Sequence, residues 1–192
     1  MSIYFVTGAA GFIASHTCEA LLKKGHRVVG VDNFDPYYSR ELKEANLAAI
    51  RNAGDEFTFY EGDLADAEFV KILFEKERPE TVIHLAAKAG VRPSIEDPAG
   101  YVRANILASQ ILLNQATKSR VKRFVMASSS SVYGNSPVVP FSETHDVNQQ
   151  ISPYAATKRA GELIAYAHHH LTKLPIANLR FFTVFGPRQR PD

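Results

Sequence analysis

Six short apolar runs, each separated from the next by a stretch of helical length, leave this chain few folds to choose from. IYFVT (3 to 7), RVVGVD (27 to 32), FTFYEGD (57 to 63), TVIHLAA (81 to 87), KRFVMAS (122 to 128) and IANLRFF (176 to 182) read as buried strands. Between them the spacing predicts helices over 12 to 24, 39 to 53, 66 to 77, 97 to 118 and 153 to 172. The last has Ser152 to cap it and Pro153 at its first position. Strand and helix in alternation give an α/β fold, a doubly wound parallel sheet with helices on both faces.

Ligands of such sheets bind at the carboxyl ends of the strands, so the residues just after each strand matter most. TGAAGFIA puts Gly8 and Gly11 directly after the first strand, in a G-x-x-G-x-x-A pattern completed by Ala14. Glycine lets the backbone turn sharply and approach a pyrophosphate, and the helix N-terminus supplies free N–H groups. The same pattern also serves a plain strand-to-helix turn. Asp32 ends the second strand, where an acid can accept hydrogen bonds from an adenosine ribose. Asn33 and Phe34 follow, not arginine, and Asp32 would repel a 2′-phosphate, which favours NAD over NADP. Asp63 and Leu64 close the third strand as an adenine contact or, equally, as a turn.

Composition narrows the remaining classes. A net charge of +2 gives no reason to invoke nucleic acid or an anionic membrane. The single Cys18 excludes an intrachain disulfide. The N-terminus lacks a basic region and is broken by glycines, and no apolar run is long enough to span a bilayer, so a cytoplasmic location is expected. A length of 192 residues suits one domain. The irregular stretch 134 to 151 reads as a loop over the site. His168, His169 and His170 point about 100° apart on a helix and cannot converge on one ion, so no metal is expected. His84 reads as a hydrogen-bonded core residue. Gly161 within the last helix costs ~1 kcal/mol relative to alanine, which close packing against another helix would explain.

SPYAATKRAGE (152 to 162) puts Tyr154 and Lys158 one helical turn apart, as a surface pair or as a phenol tuned by a lysine. ASSSSVYG (127 to 134) closes the fifth strand. TGAAGFIA, Asp32, Asp63, HLAA (84 to 87), Asn105, SSSSVYG and Y-A-A-T-K, in this order, resemble the extended short-chain dehydrogenase/reductase superfamily over essentially the whole chain. The resemblance implies a Rossmann-like domain holding NAD through Gly8, Gly11, Phe12, Ile13, Asp32, Asn33, Asp63, Leu64, Leu85, Ala86, Ala87, Asn105, Tyr154 and Lys158. It also implies a catalytic set. Tyr154 takes the proton of a sugar hydroxyl, Lys158 favours the phenolate and holds the nicotinamide ribose, and Ser129 hydrogen-bonds the reacting oxygen.

DNFDPYYSRELKEANL (32 to 47), HLAAKAGVRPSIEDP (84 to 98) and RFFTVFGPRQRPD (180 to 192) are most similar to nucleotide-sugar 4-epimerases, especially those acting on UDP-glucuronate. Such enzymes oxidise C4, let the 4-keto sugar rotate, and return hydride to the other face. Resembling 4,6-dehydratases carry an Asp-Glu pair after the catalytic hydroxyl, and the decarboxylases a glutamate. Ser130 and Ser131 stand there instead. Ser130, Ser131, Thr183 and Arg190 are expected to hold a sugar carboxylate, with Arg92 a second anion contact. Both arginines read equally well as solvated side chains. Lys88 replaces a usual glutamine, and Phe185 a usual tyrosine. Family members are longer, so most of the segment that holds the uridine diphosphate is expected to lie outside these residues. The resemblance further implies a homodimer through helices 97 to 118 and 153 to 172. A UDP-glucose/UDP-galactose 4-epimerase and an NAD-binding module without turnover are the alternatives.

Overall fold

Strands that are apolar on both sides need cover on both faces. The structure, a computed structural model, describes residues 1–189. β1 (Ile3–Thr7), β2 (Arg27–Asp32), β3 (Phe57–Glu61), β4 (Thr81–His84), β5 (Arg123–Ser129) and β6 (Ile176–Phe181) form one parallel sheet. Their order is β3-β2-β1-β4-β5-β6, so the chain reverses direction across the sheet between β1 and β4. That switch point opens a crevice at the carboxyl ends of the strands.

Side chains alternate between the two layers. Val6 and Val28 pack with Ala14, Cys18 and Leu22 of α1 (Phe12–Lys23) and Leu47 and Ile50 of α2 (Arg40–Ala53). Phe5 and Val29 pack on the other face with Leu73 and Phe74 of α3 (Ala67–Glu77). Leu112 and Leu113 complete that layer. Asp66 caps α3 by accepting from the amides of Glu68 and Phe69. Ser152 caps the last helix at Ala155, with Pro153 in its first turn, as expected.

Several expectations need correcting, and the third strand already ends at Glu61 rather than Asp63. The fourth strand ends at His84 rather than Ala87, because Thr7 Oγ1 takes the amides of Leu85 and Ala86 (3.1 and 3.0 Å) that a longer ladder would use. A short helix, α4 (Val91–Glu96), stands where none was expected; it is too brief to show a periodic pattern. The helix over 97 to 118 is three pieces: α5 (Pro98–Val102), a π-turn at Arg103–Leu107, and α6 (Ala108–Lys118). Such turns concentrate at functional sites.

The last helix, α7 (Pro153–Thr172), carries Gly161 against β5 and not against another helix. A Cβ there would meet Met126 Cε at 3.2 Å. Stretch 134 to 151 does not cover the crevice either. Phe141 stacks on Tyr133 at 4.6 Å and lies 6.0 Å from Phe182, beside β6. His168 pairs with Thr117 and His169 with the Leu174 carbonyl, so the histidine run serves separate bonds.

Candidate active site

The crevice has two connected parts, of about 450 and about 170 Å³, sharing Gly8, Gly11, Leu85, Ala87 and Lys88. Gly8 forms the floor at φ +70°, and a Cβ on it would lie 2.9 Å from both N and Cα of Ala86. Only glycine brings β1 this close to the chain leaving β4. Gly11 donates to the Gly8 carbonyl at 2.8 Å and begins α1 without a side-chain cap. The first amides of α1 are therefore available to an anion, where the helix dipole favours one. Gly8→Ala is expected to lower stability by about 1–3 kcal/mol, which a urea midpoint measures, and to close the floor of the crevice to a phosphate.

Asp32 lies buried at the end of β2. Its Oδ2 accepts from Ala10 N (3.2 Å) and its Oδ1 from Phe34 N (2.8 Å), leaving lone pairs toward the smaller cavity. Burial pushes its carboxyl up from the usual range, against Lys43, whose Nζ is 4.0 Å away, and the two amides. Asn46 Nδ2 donates to the Ala10 carbonyl at 2.8 Å, so α2 and β2 together clamp the glycine turn. Asn33, Leu64 and Ala86 line the same cavity. Asp63 lines it too, but also accepts from Ala65 N (2.8 Å) and pairs with Arg103 (2.6 Å). Burial opposes its ionisation, yet those partners hold the carboxyl below its usual range.

Thr7, His84 and Ser109 tie the strand ends together. Ser109 donates to the Asn105 carbonyl (2.7 Å), so His84 Nε2–H donates to Ser109 (3.0 Å) and Nδ1 accepts from Thr7 (2.7 Å). Burial, then the charge of Lys158, drives the His84 pKa down to about 3, which keeps the ring neutral. This core role matches the sequence expectation.

The larger cavity gathers Phe12, Ile13, Ser129, Tyr154, Lys158 and Thr183. Tyr154 and Lys158 lie one turn apart on α7, with Nζ 6.0 Å from the phenol ring centroid. Lys158 Nζ donates to the Ala127 carbonyl (2.9 Å), and burial alone lowers its pKa to about 8. Tyr154 N donates to Ser94 Oγ (3.1 Å), and Tyr101 meets the Tyr154 ring edge-on at 6.2 Å. Ser129 Oγ sits at the end of β5, accepting from Ser131 N (3.1 Å) and donating to Ser131 Oγ (3.2 Å).

Other candidates lie elsewhere. Asn105, in the π-turn, spends its amide on Lys88 N and O (2.9 and 3.0 Å) and Thr157 Oγ1 (3.0 Å), so it shapes the wall rather than lining it. Ser130 and Ser131 sit in the 3₁₀ turn after β5 (Ser130–Tyr133), behind the residues that line the cavity. Arg92 is exposed on α4 and lines neither cavity. Arg190 lies outside the described residues.

Sequence reasoning missed Lys43, Asn46, Ser94 and Glu162. Lys43 and Asn46 carried a signal: they share the apolar face of α2 with Leu47 and Ile50, where polar residues need a reason. Glu162 gave one only as the next i,i+4 step after Lys158.

Comparison with known proteins follows the same geometry. The chain is 46% identical, over its full length, to a UDP-glucuronate 4-epimerase of Thermodesulfobacterium geofontis (strain OPF15), covering 59% of that protein. It is 47% identical over 97% of its length to UDP-glucuronate 4-epimerase 3 of Arabidopsis thaliana, covering 43% of it. The chain thus spans about half the length of the curated relatives it matches. Among solved structures, the Bacillus cereus UDP-glucuronic acid 4-epimerase in complex with UDP-glucuronic acid and NAD superposes with a TM-score of 0.90 at 40% identity, covering 99% of this chain and 59% of that one. The Thermotoga maritima UDP-glucose 4-epimerase with UDP-glucose gives 0.88 at 36%, covering 98% and 58%. Residues 4–192 match one family profile, and that match takes in the glycine turn, the strand-end acid and the tyrosine–lysine helix together. The chain belongs to the NAD dependent epimerase/dehydratase family.

Proposed function

We propose that this chain is the cofactor-binding and catalytic part of an NAD-dependent nucleotide-sugar 4-epimerase that interconverts UDP-glucuronate and UDP-galacturonate through a 4-keto sugar. One observation carries the reading: Ser129, Tyr154 and Lys158 open into the same cavity as the Gly8–Gly11 turn. The residues present fit the dinucleotide. Gly8 and Gly11 leave room and amides for its pyrophosphate, Asp32 offers free lone pairs to the adenosine ribose, and Leu64 offers an apolar wall to the adenine. The bound nicotinamide supplies the hydride chemistry.

The chain's own residues move the proton and hold the sugar. Tyr154 takes the proton of the C4 hydroxyl and later returns one to the keto oxygen. A phenol has a reference pKa near ~10, and a neighbouring ammonium lowers the cost of ionising it. Lys158 provides that charge from a position fixed by the Ala127 carbonyl. Ser129 Oγ donates to the reacting oxygen. Thr183, in the same cavity, contacts the sugar carboxylate in this reading, with Ser130, Ser131, Arg190 and Arg92 as its further candidates. The UDP-glucuronate relatives favour that substrate, and the Thermotoga likeness keeps UDP-glucose as the second reading.

The first experiment fixes the intact mass, incubates the protein with NAD and either UDP-glucuronate or UDP-glucose, and follows the C4 epimer by NMR. UDP-galacturonate alone supports the proposal, and UDP-galactose alone replaces it with the second reading. No product with NAD still bound leaves an NAD-binding module without turnover.

A pH dependence follows from Lys158. Its folded pKa is depressed to about 8, so the ammonium that favours the phenolate is lost as pH rises through that value. An alkaline limb in kcat/KM is expected near about pH 8, with activity falling above it. A profile flat to pH 10 would remove the charge from the mechanism.

The proposal includes a homodimer through the faces of α5, the π-turn, α6 and α7, where Val102, Leu107, Leu163 and Tyr166 are exposed. Sedimentation velocity tests it. The proposal also includes a cytoplasmic site of action, where the buried thiol of Cys18 stays reduced.

A further inference from the structure

We propose that Lys88 is a retention residue for the dinucleotide: with Asp35 it straps the crevice closed over the Gly8–Gly11 turn and slows escape of the bound cofactor. The inference rests on the cofactor reading above.

Lys88 follows the chain leaving β4 and lines both parts of the crevice, at their junction. Its backbone is fixed, because Asn105 holds both its N and its O. Its side chain is therefore the movable part, on a rigid base. Nζ donates to Asp97 Oδ2 at 2.8 Å, at the start of α5, and lies 3.9 Å from Asp35 Oδ2. Asp35 belongs to the opposite wall, the segment between β2 and α2.

That wall is itself braced. Asp35 N donates to Asn33 Oδ1 (3.0 Å), Tyr37 N donates to Asp35 Oδ1 (3.0 Å), and Lys43 Nζ donates to the Asp35 carbonyl (2.7 Å). A close approach accompanies the ion pair: a Cβ on Gly90, at φ +103°, would meet the Tyr37 hydroxyl at 2.9 Å. The two walls thus approach each other at two points along the crevice. The hydrogen bond from Lys88 to Asp97, opposed by burial and assisted by Asp35, raises the lysine pKa, so the ammonium persists across the working range. Glutamine, the residue expected here from resemblance, keeps the reach and loses the charge.

The test is NADH release, followed by fluorescence after displacement with excess NAD in stopped flow. Lys88→Gln and Asp35→Asn are each expected to speed release about tenfold at low salt. The double variant is expected to match either single one, because both break the same strap. Lys88→Arg is expected to restore most of the wild-type rate. Salt near 0.5 M should shrink the difference, since about 4 Å of screening length remains there. A thermal melt without nucleotide checks that Lys88→Gln folds; Asn105 bonds only the backbone of residue 88, so the anchor survives. Wild-type release in Lys88→Gln, or additive effects in the double variant, would overturn the strap alone. Wild-type protein that binds no NADH would overturn the cofactor reading and the strap with it.

Discussion

Tyr154→Phe is expected to lower conversion of UDP-glucuronate by about 10²–10⁴-fold, the range for removing a general acid–base group, with NAD affinity within a few-fold of wild type. The substitution keeps the ring and backbone contacts of residue 154 described above. Phenylalanine keeps the ring that Tyr101 meets edge-on at 6.2 Å. The bond from residue 154 to Ser94 uses the backbone amide and is untouched. The helix cap at Ser152 is also independent of the phenol. What disappears is the phenol oxygen that takes the C4 proton beside Lys158 in the proposed mechanism. NMR turnover alongside NAD titration separates the two effects. Undiminished turnover would sink the proton-transfer mechanism, and lost NAD binding would mean that the hydroxyl mainly holds cofactor.

The second large effect is on stability. Glu162→Ala is expected to cost about 3–5 kcal/mol, as for breaking a buried ion pair from one side. Glu162 is almost wholly buried on α7 and accepts from Ser128 Oγ (2.6 Å), Arg180 Nε and Nη2 (2.8 and 2.9 Å) and Arg159 Nη1 (3.0 Å). Truncation would strand Arg180, whose side chain is only 15% exposed. Its other bonds, to Tyr133 Oη and the Glu143 carbonyl, are longer, at 3.2 and 3.3 Å. It would also free Ser128, the neighbour of Ser129, so the active site loosens together with the fold.

The same network predicts acid behaviour. Burial works against ionisation of Glu162, but Arg180, Ser128 and Arg159 outweigh it and hold the carboxyl below its usual range. A depressed folded pKa means that this stability is fully present above the unfolded value near 4.5 and is lost as pH falls through the folded value. Glu162→Gln should be less stable than wild type at pH 7 and lose less on acidification. Denaturant midpoints between pH 7 and pH 3 measure both. Parallel acid curves for the two proteins would show that other carboxylates carry the transition.

Much of the site was legible because its chemistry is local. Gly8 and Gly11 announce a tight turn, Asp32 ends an apolar run, and Tyr154 and Lys158 show their common face by spacing alone. The walls were not legible. Ser128 meets Glu162 across 34 residues, and Asn105 reaches Thr157 across 52. No periodicity reports such pairs. The π-turn escaped for a related reason. Its one-residue change of phase is invisible in an apolar pattern, and the Asn105 that lies within it bonds to residues far along the chain.

From its residues alone, then, this chain determined the strands, most of the helices, and the turn at which an anion can approach a backbone. Burial pattern and the steric freedom of glycine are properties of short windows, and short windows are what a sequence displays. Only the tertiary structure decided that β1 and β4 adjoin, and that Thr7 ends β4 by capturing two amides. It also decided that Lys88 faces Asp35 across the crevice and that a buried Glu162 holds the ends of β5 and β6 to α7. Those outcomes depend on distances between segments far apart in the chain, which the packing of both layers on the sheet alone sets.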